Sequence, residues 1–331
     1  MPLREGLSMD WVYAVLGLVI LLLAGDSLVR GAVNLALRVG IPALIVSLTI
    51  VAFGTSAPEL LIAIKAVREN APDIAMGNVV GSNTANVLLV LGLPALLARM
   101  HTSECDCRKT YLYMVLSTLL FIALAFRGVF DLFAALVLLA GLTFVLADSV
   151  LHARRHRREL AGIARAAAEA QDEDEEVEGA DPDMRWWKVL VFLVLGLIGL
   201  PLGADLLVDS AVNIARTFGV SEVVIGLTLV AVGTSLPELA TTVMAALRQQ
   251  ADVALGNVIG SNMFNLLGII GIAALMRPVT VAPQFLQFDL WVMLGASVLL
   301  IPFVFFRQDL TRTWGAILTA LYGLYILAVL C

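Results

Sequence analysis

The fold is decided by GTSAPELLIAIKAVRENAPDIAMGNVVGSN at residues 54–83, which returns as GTSLPELATTVMAALRQQADVALGNVIGSN at residues 233–262. The two copies keep a constant offset of 179 residues. Each copy carries one glutamate, Glu59 or Glu238, inside an apolar run. Self-similarity in a fixed register indicates an internal duplication. We therefore predict two related halves whose glutamates occupy equivalent positions.

The composition of the chain indicates a membrane protein. Of its 331 residues, 60% are hydrophobic and 15% are charged, and the mean hydropathy is +0.94. This is too little charged surface to cover a soluble globule of this length. The formal net charge of −6 gives no reason to expect a nucleic-acid partner.

Ten segments are long and apolar enough to be candidate membrane spans, since a spanning helix needs about 20 mostly apolar residues. They are residues 11–36, 43–68, 73–98, 110–127, 129–151, 186–215, 222–247, 252–276, 286–306 and 313–330. With five spans in each half, an odd number, the second half enters the membrane from the opposite side. The predicted fold is an all-α polytopic membrane protein with ten transmembrane helices arranged as two inverted five-helix repeats. Such inverted repeats are typical of secondary transporters.

A long polar stretch separates the two repeats. We place the first repeat at residues 1–152, a charged linker at 153–185 and the second repeat at 186–331. The linker begins with the arginine-rich residues 154–158 and continues into an acidic run at 172–178. Arginine beside a span favours the cytoplasmic side. We therefore expect a cytoplasmic linker, with both termini on the opposite face.

The repeated motif offers only oxygen ligands. Pro58 and Pro237 interrupt helical hydrogen bonding, which frees backbone carbonyls that at membrane depth must line a cavity or be buried in protein. The side-chain oxygens nearby belong to Thr55, Ser56, Ser82, Asn86, Thr234, Ser235, Ser261 and Asn265. Hard cations such as Ca²⁺ take about six to eight oxygen ligands, whereas zinc and copper sites favour cysteine or imidazole. The motif therefore indicates a site for a hard cation.

The charge of the two glutamates points to ion exchange. An ionised carboxylate at the bilayer centre costs about 2.5 to 3.5 kcal/mol on insertion scales, so a facing pair requires cations. Two glutamates can neutralise one divalent ion, or several monovalent ions can occupy the same oxygens. Competition between the divalent and the monovalent ions for these oxygens would couple their movement. The structural alternative is that the glutamates extend their carboxylates to the membrane interface, or that they are protonated and hydrogen-bonded between helices. The recurrence of the glutamate in a fixed frame favours the functional interpretation.

Two further features repeat in the same register. Asp26 and Asp205 lie on the first helix of each repeat, and we expect them to have a structural or entrance role rather than to coordinate the ion directly. Small residues four apart let helices pack closely. These are Gly77 with Gly81, and Gly256 with Gly260.

GTSAPE with GNVVGSNTAN, and GTSLPE with GNVIGSNMFN, resemble the two α-repeats of the calcium/cation antiporter superfamily, specifically its sodium/calcium exchanger branch and bacterial relatives. The resemblance covers residues 11–100 and 186–276. It implies that Glu59 and Glu238 are the central carboxylates shared by calcium and sodium. It also implies that the carbonyls of Thr55 and Thr234 complete the calcium site and that Asn86 and Asn265 face the centre. The sodium sites would be lined by Ser56, Ser82, Ser235, Ser261 and the carbonyls of Ala52 and Ala231.

The resemblance implies a secondary active antiporter that exchanges Na⁺ for Ca²⁺ by alternating access, with the first and sixth helices sliding against the other eight. The expected exchange of three sodium ions for one calcium ion is electrogenic. The amides at Asn86 and Asn265 argue against a potassium-dependent variant, because some relatives carry an aspartate at one of these positions. We expect no enzymatic activity and no cofactor; the partners are small inorganic cations and the lipid bilayer of the cell (inner) membrane. A monomer is compatible with the sequence, which does not fix the oligomeric state.

Three other functions remain open at this point. A Ca²⁺/H⁺ antiporter is the nearest, since glutamates can titrate. A cation channel would use paired carboxylates for selectivity without coupling. An intramembrane hydrolase is the least supported, because nothing supplies a leaving-group site or an arrangement that activates water.

Overall fold

The computed structural model describes residues 2–167, 184–219 and 231–330, and most of these residues are helical. This confirms the predicted all-α class. The helices of the first half are α1 Pro2–Val39, α2 Ala43–Val46, α3 Ala52–Thr55, α4 Ala57–Arg68, α5 Pro72–Ala85, α6 Gly92–Leu97, α7 Arg108–Ala125 and α8 Leu132–Ala167, with π-helical turns at Ser47–Val51 and Asn86–Val90 and a 3-10 turn at Thr102–Glu104.

The described part of the second half is also mostly helical. Its helices are α9 Trp186–Thr217, α10 Ala231–Gly233, α11 Leu236–Leu247, α12 Ala251–Met263, α13 Ile270–Met276, α14 Leu290–Val298, α15 Ile301–Phe305 and α16 Arg312–Leu330, with π-helical turns at Phe264–Ile269 and Phe285–Asp289. Two short strands, β1 Val129–Phe130 and β2 Val279–Thr280, pair antiparallel and join the two halves.

Within the described residues, eight helical segments are long and apolar enough to cross a membrane. They are Met9–Val39, Pro72–Leu97, Arg108–Ala125, Leu132–Arg154, Trp186–Thr217, Ala251–Met276, Phe285–Phe305 and Arg312–Val329. The segments Ala43–Thr55 and Ala57–Arg68 meet at 44° and form a ninth if they cross together. The predicted span at 222–247 begins in residues 220–230, which lie outside the described residues, and it ends in the apolar helix α11.

The last helix of the first repeat extends into the predicted linker. Helix α8 continues past residue 152 to Ala167, so the first part of the predicted linker at 153–185 is helical. Residues 153–167 contain no proline and are rich in alanine and arginine, which are good helix formers. The acidic run at 172–178 lies outside the described residues.

Each glutamate lies just after a break in its helix. Ser56 separates α3 from α4 with φ −84° and ψ 7°, and Ser235 precedes α11 with φ −87° and ψ 4°. The prolines follow in the first turn of the new helix, where a missing N–H removes no helical hydrogen bond. Glu59 and Glu238 are therefore first-turn residues, and their carboxylates lie near the positive end of a helix dipole.

Equivalent residues of the two repeats meet at the centre of the molecule. The Asn83 side-chain Nδ2 donates to the Asn262 carbonyl oxygen at 3.2 Å, and the Asn262 Nδ2 donates to the Asn83 carbonyl oxygen at 3.4 Å. The two residues are 179 positions apart, which is the repeat offset, and each is 1% exposed. Reciprocal bonds between equivalent residues are what a two-fold relation between the repeats produces. The helices α5 and α12 therefore form the centre of the bundle.

The first helices of the two repeats, α1 and α9, cross at glycines. A Cβ added at Gly17 would lie 2.9 Å from the Gly203 carbonyl oxygen, and a Cβ at Gly203 would lie 3.0 Å from the Gly17 carbonyl oxygen. About two helical turns away along α9, a Cβ at Gly196 would lie 2.6 Å from the Leu28 Cβ. Close contact of this kind requires residues without a side chain. The α1 and α9 backbones therefore pack directly against each other.

Candidate ion-binding site

The structure brings the two repeated glutamates into one buried region. Glu59 and Glu238 are both 0% exposed. The Ser56 hydroxyl donates to Glu238 Oε1 at 3.2 Å, which ties the helix break of the first repeat to the glutamate of the second. The hydroxyls of Thr55 and Ser261 interact with the same carboxylate.

Several buried oxygens in this region receive no hydrogen bond from the part of the chain that the structure describes. They are Glu59 Oε1 and Oε2, Glu238 Oε2, Asn86 Oδ1, Asn265 Oδ1 and Ser235 Oγ. Buried polar atoms in proteins are nearly always bonded, and leaving one unpaired costs about 1–3 kcal/mol, or more for a charged group. A cation bound beside such oxygens would supply the missing partner.

The predicted neutral ligands occupy the same buried region with one exception. Thr55, Ser56, Ser82, Ser235 and Ser261 are each at most 4% exposed. Thr55 Oγ1 and Ser261 Oγ, from opposite repeats, lie 3.5 Å apart. Thr234 is only partly buried, and it lines a cavity of about 440 Å³ together with Ser82 and Asn78.

The two alanines whose carbonyls were predicted as ligands begin short helices before the breaks. The Ala52 carbonyl oxygen accepts the Ser56 N–H at 3.0 Å and the Thr55 hydroxyl at 3.3 Å. Ala231 begins the three-residue helix α10. Coordination by either carbonyl stays a prediction.

Asn86 and Asn265 lie in π-helical turns that their sequence does not signal. Asn86 begins the turn Asn86–Val90, and Asn265 lies in the turn Phe264–Ile269. The Asn86 Nδ2 donates to Asn262 Oδ1 at 3.1 Å, which leaves Asn86 Oδ1 as the free end of the amide. Single π-turns within α-helices are frequent at functional sites. Both amides are at most 1% exposed, and their orientation toward the ion stays a prediction.

Two further asparagines position the glutamates, and our sequence analysis did not single them out. Asn257 donates its Nδ2 to the Glu238 carbonyl oxygen at 3.3 Å and to Thr242 Oγ1 at 3.2 Å, while its Oδ1 accepts the Thr55 hydroxyl at 3.3 Å. Asn78, the equivalent residue, donates to the Glu59 carbonyl oxygen at 3.2 Å. The available signal was the first asparagine of GNVVGSN and GNVIGSN, which is present in both copies.

Replacing Asn257 with alanine is expected to weaken both folding and ion binding, because it removes the side-chain donor to the Glu238 carbonyl and one of the acceptors of the Thr55 hydroxyl. Each lost hydrogen bond costs about 0.5–1.5 kcal/mol, so apparent Ca²⁺ affinity should fall roughly tenfold. The measurement is Ca²⁺-dependent thermal stabilisation of the detergent-solubilised protein. Thr242→Ala, which removes a single bond to Asn257, is the matched control and should have a smaller effect. Equal losses in both variants would contradict a positioning role for Asn257.

The ligand chemistry is that of a site with few charges. Among residues 2–167, 184–219 and 231–330, no group of three or more histidine, cysteine, aspartate or glutamate side chains could hold a metal. The region therefore offers two carboxylates surrounded by neutral oxygens. Hard cations are bound by such oxygen sets, and a small number of charges suits a site that must also release its ion.

Known proteins resemble this chain over most of its length. A family profile described as "Sodium/calcium exchanger protein" matches residues 9–151 and 188–331. The sodium/calcium exchanger MaX1 of Methanosarcina acetivorans is 32% identical over 351 aligned residues, which cover 98% of this chain and 99% of MaX1. The inner membrane protein YrbG of Escherichia coli is 33% identical over 285 residues, 86% of this chain and 85% of YrbG.

Solved structures of the sodium-calcium exchanger NCX_Mj share the fold. The structure of NCX_Mj soaked with 10 mM Na⁺ and zero Ca²⁺ superposes with a TM-score of 0.79 at 31% identity, covering 97% of this chain and 98% of that one. NCX_Mj soaked with Na⁺ and Sr²⁺ gives the same score. The matched family profile spans both repeats, and MaX1 aligns with nearly the whole chain. The chain therefore belongs to the sodium/calcium exchanger family.

Proposed function

We propose that this protein is a secondary active antiporter that exchanges Na⁺ for Ca²⁺ across a membrane by alternating access. One observation carries the proposal: two fully buried carboxylates, one from each repeat, have oxygens that no donor in the described residues satisfies. MaX1 and NCX_Mj, which match almost the whole chain, are both named as exchangers of sodium and calcium.

In this proposal Ca²⁺ binds between Glu59 and Glu238, whose two negative charges balance one divalent ion. Neutral oxygens complete the shell, because Ca²⁺ requires about six to eight ligands. The proposed contributors are the carbonyls of Thr55 and Thr234, with Asn86 and Asn265 facing the centre. Na⁺ occupies flanking positions formed by the hydroxyls of Ser56, Ser82, Ser235 and Ser261 and by the carbonyls of Ala52 and Ala231.

Competition for the glutamates explains the coupling. Na⁺ and Ca²⁺ both need the same two carboxylates, so the site holds one load or the other. A site emptied of cations would leave two unpaired charges at membrane depth, which is costly, and this disfavours the conformational change without cargo. Exchange of three sodium ions for one calcium ion moves one net charge, so a membrane potential contributes about 2.3 kcal/mol per 100 mV.

The same proposal includes the membrane arrangement. Ten spans form two inverted repeats, the linker at 153–185 lies in the cytoplasm, and the chain works as a monomer in the cell (inner) membrane. The name of YrbG as an inner membrane protein supports this location. The glutamates bind and release ions and perform no covalent chemistry, so we assign no enzymatic activity and no cofactor. The hydrolase interpretation has no support from the site.

Sodium-loaded vesicles containing the purified protein test the proposed function. We expect isotopic Ca²⁺ uptake that requires internal Na⁺ and increases when the imposed voltage drives net positive charge out of the vesicle. A pH gradient without Na⁺ should give little uptake; uptake driven by the pH gradient alone would instead establish a Ca²⁺/H⁺ antiporter. Conductance that persists without a counter-ion gradient would indicate a channel.

A further inference from the structure

The two repeats are not in equivalent positions, although their sequences match. Helix α1 packs onto α11 so closely that a Cβ added at Gly25 would lie 2.9 Å from the Ala240 carbonyl oxygen. Ala240 is 6% exposed. The equivalent residue on α4 is Leu61, which is 67% exposed. The surface that α1 covers on α11 is therefore uncovered on α4, and the structure shows one of the two states that an inverted pair of repeats can adopt.

A charged contact lies where α1 meets the end of α11. The Arg248 Nε, immediately after α11, donates to Asp26 Oδ1 on α1. Arg30, one turn along α1, places its Nε 2.9 Å from the other oxygen, Asp26 Oδ2. The side chains of Asp26 and Arg248 are each 19% exposed, so water screens this contact only partly. One carboxylate thus accepts a hydrogen bond from Arg248 and lies beside a second guanidinium group, that of Arg30.

The second repeat has the opposite charge pattern at the equivalent positions. In the common register, Asp26 corresponds to Asp205, Arg30 to Asp209 and Arg248 to Glu69. One negative and two positive charges in the first set become three negative charges in the second. Asp205 and Asp209 lie on α9, and Glu69 directly follows α4. Like charges brought to contact repel, most strongly where water is excluded.

We infer that Asp26, Arg30 and Arg248 form a latch that holds α1 on α11, and that the three acidic residues oppose the equivalent docking of α9 on α4. This inference rests on the proposed alternating access. When the repeats exchange conformations, the latch must open, and Asp205 and Asp209 must approach Glu69. The chain therefore has a built-in preference for the state in the structure. With the linker in the cytoplasm, Arg248 lies on the cytoplasmic side, so the preferred state opens outward.

Cysteine labelling measures this preference without reference to transport. In detergent, Ala240→Cys reports undocking of α1, because Ala240 is covered in the present state. Leu61→Cys reports docking of α9, because Leu61 is uncovered. We expect Arg248→Gln to increase the ratio of the labelling rate at position 240 to that at position 61 by about three- to tenfold, the population shift given by one partly shielded ion pair.

A second variant tests the acidic half of the inference. Glu69→Arg supplies a partner for Asp205 and Asp209, so it should stabilise the swapped state and change the ratio in the same direction as Arg248→Gln. A contact that merely stabilises folding would not produce this result, because Glu69 is exposed. Arg127→Gln, which removes only the local ion pair of Arg127 with Asp131 before α8, is the matched control and should leave the ratio unchanged.

Peptide mass spectrometry distinguishes labelling of the native cysteines from labelling of the introduced cysteine at position 240 or 61. Burial raises the pKa of Cys107 to about 11 and also raises the pKa of Cys105, and a thiol reacts through its thiolate, so both label slowly near neutral pH. An unchanged ratio in either Arg248→Gln or Glu69→Arg, or changes in opposite directions, would overturn the inference. These rates report conformation whether or not Na⁺ drives Ca²⁺ uptake, so failure of the latch is distinguishable from failure of the proposed function.

Discussion

Glu238→Gln is expected to abolish Na⁺-driven Ca²⁺ uptake into vesicles, with Ca²⁺ affinity reduced roughly a hundredfold or more. The substitution keeps the shape of the side chain and an oxygen that can accept the Ser56 hydroxyl, so the main loss is one of two negative charges. Removing one partner of a buried charge pair costs about 3–5 kcal/mol, and each 1.4 kcal/mol is a tenfold change in affinity. Glu59→Gln should have the same effect, because its two carboxylate oxygens are unpaired within the described residues.

Glu104→Gln is a suitable control for the charge change. Glu104 is exposed in the 3-10 turn Thr102–Glu104, far in sequence from either motif. It should transport normally. Full uptake by both Glu59→Gln and Glu238→Gln would show that the glutamates do not form the transport site.

Gly260→Ala is expected to destabilise the protein by about 1–3 kcal/mol, the usual cost of overpacking a tight core. A Cβ at Gly260 would lie 2.5 Å from the Leu48 carbonyl oxygen and 2.7 Å from the Ala52 Cβ. Relief requires α12 to move away from the helix that carries Thr55, so ion binding should weaken as well. The measurement is the thermal midpoint in detergent, with and without Ca²⁺.

Gly323→Ala on α16 is the matched control, because no atom of the described residues lies within 4 Å of a Cβ built there. It should leave the midpoint nearly unchanged. A Gly260→Ala protein as stable as Gly323→Ala would mean that α12 does not pack as closely on the first repeat as the structure indicates. Among the repeated glycines, Gly256 and Gly260 show the predicted close packing. A Cβ built at each would contact the Leu44 and the Leu48 carbonyl oxygen, respectively.

The sequence predicted the membrane class and the central pair because both follow from local, repeated signals. Apolar runs of sufficient length specify spans. Pro58 and Pro237 specify a helix break, and the fixed register makes Glu59 and Glu238 equivalent. The structure shows that both glutamates are buried and that a hydroxyl of the first repeat bonds to the glutamate of the second. The coordinating role of each oxygen around them stays a prediction.

Other features depend on tertiary contacts that the sequence pattern does not encode. The π-turn Asn86–Val90 adds a residue to a helical turn without any Pro or Gly within it, and the turn Phe264–Ile269 contains Gly268 but no Pro. Asn257 acts through a backbone carbonyl and a hydroxyl on neighbouring helices, which no periodicity signals. Helix α1 packs on α11, whereas α9 leaves the equivalent surface of α4 uncovered, and this difference is a property of one conformational state. Duplicated sequence predicts the equivalence of the repeats but not which of them is docked.

Anomalous diffraction from crystals soaked with Sr²⁺, a heavier stand-in for Ca²⁺, tests the ion site most directly. We predict one strong peak between Glu59 and Glu238, with carboxylate oxygens at about the 2.3–2.6 Å typical of Ca²⁺ sites or slightly beyond for the larger ion. Excess Na⁺ should remove this peak. An absence of density between the two glutamates, or a peak there that excess Na⁺ does not displace, would contradict a shared site for the two exchanged ions.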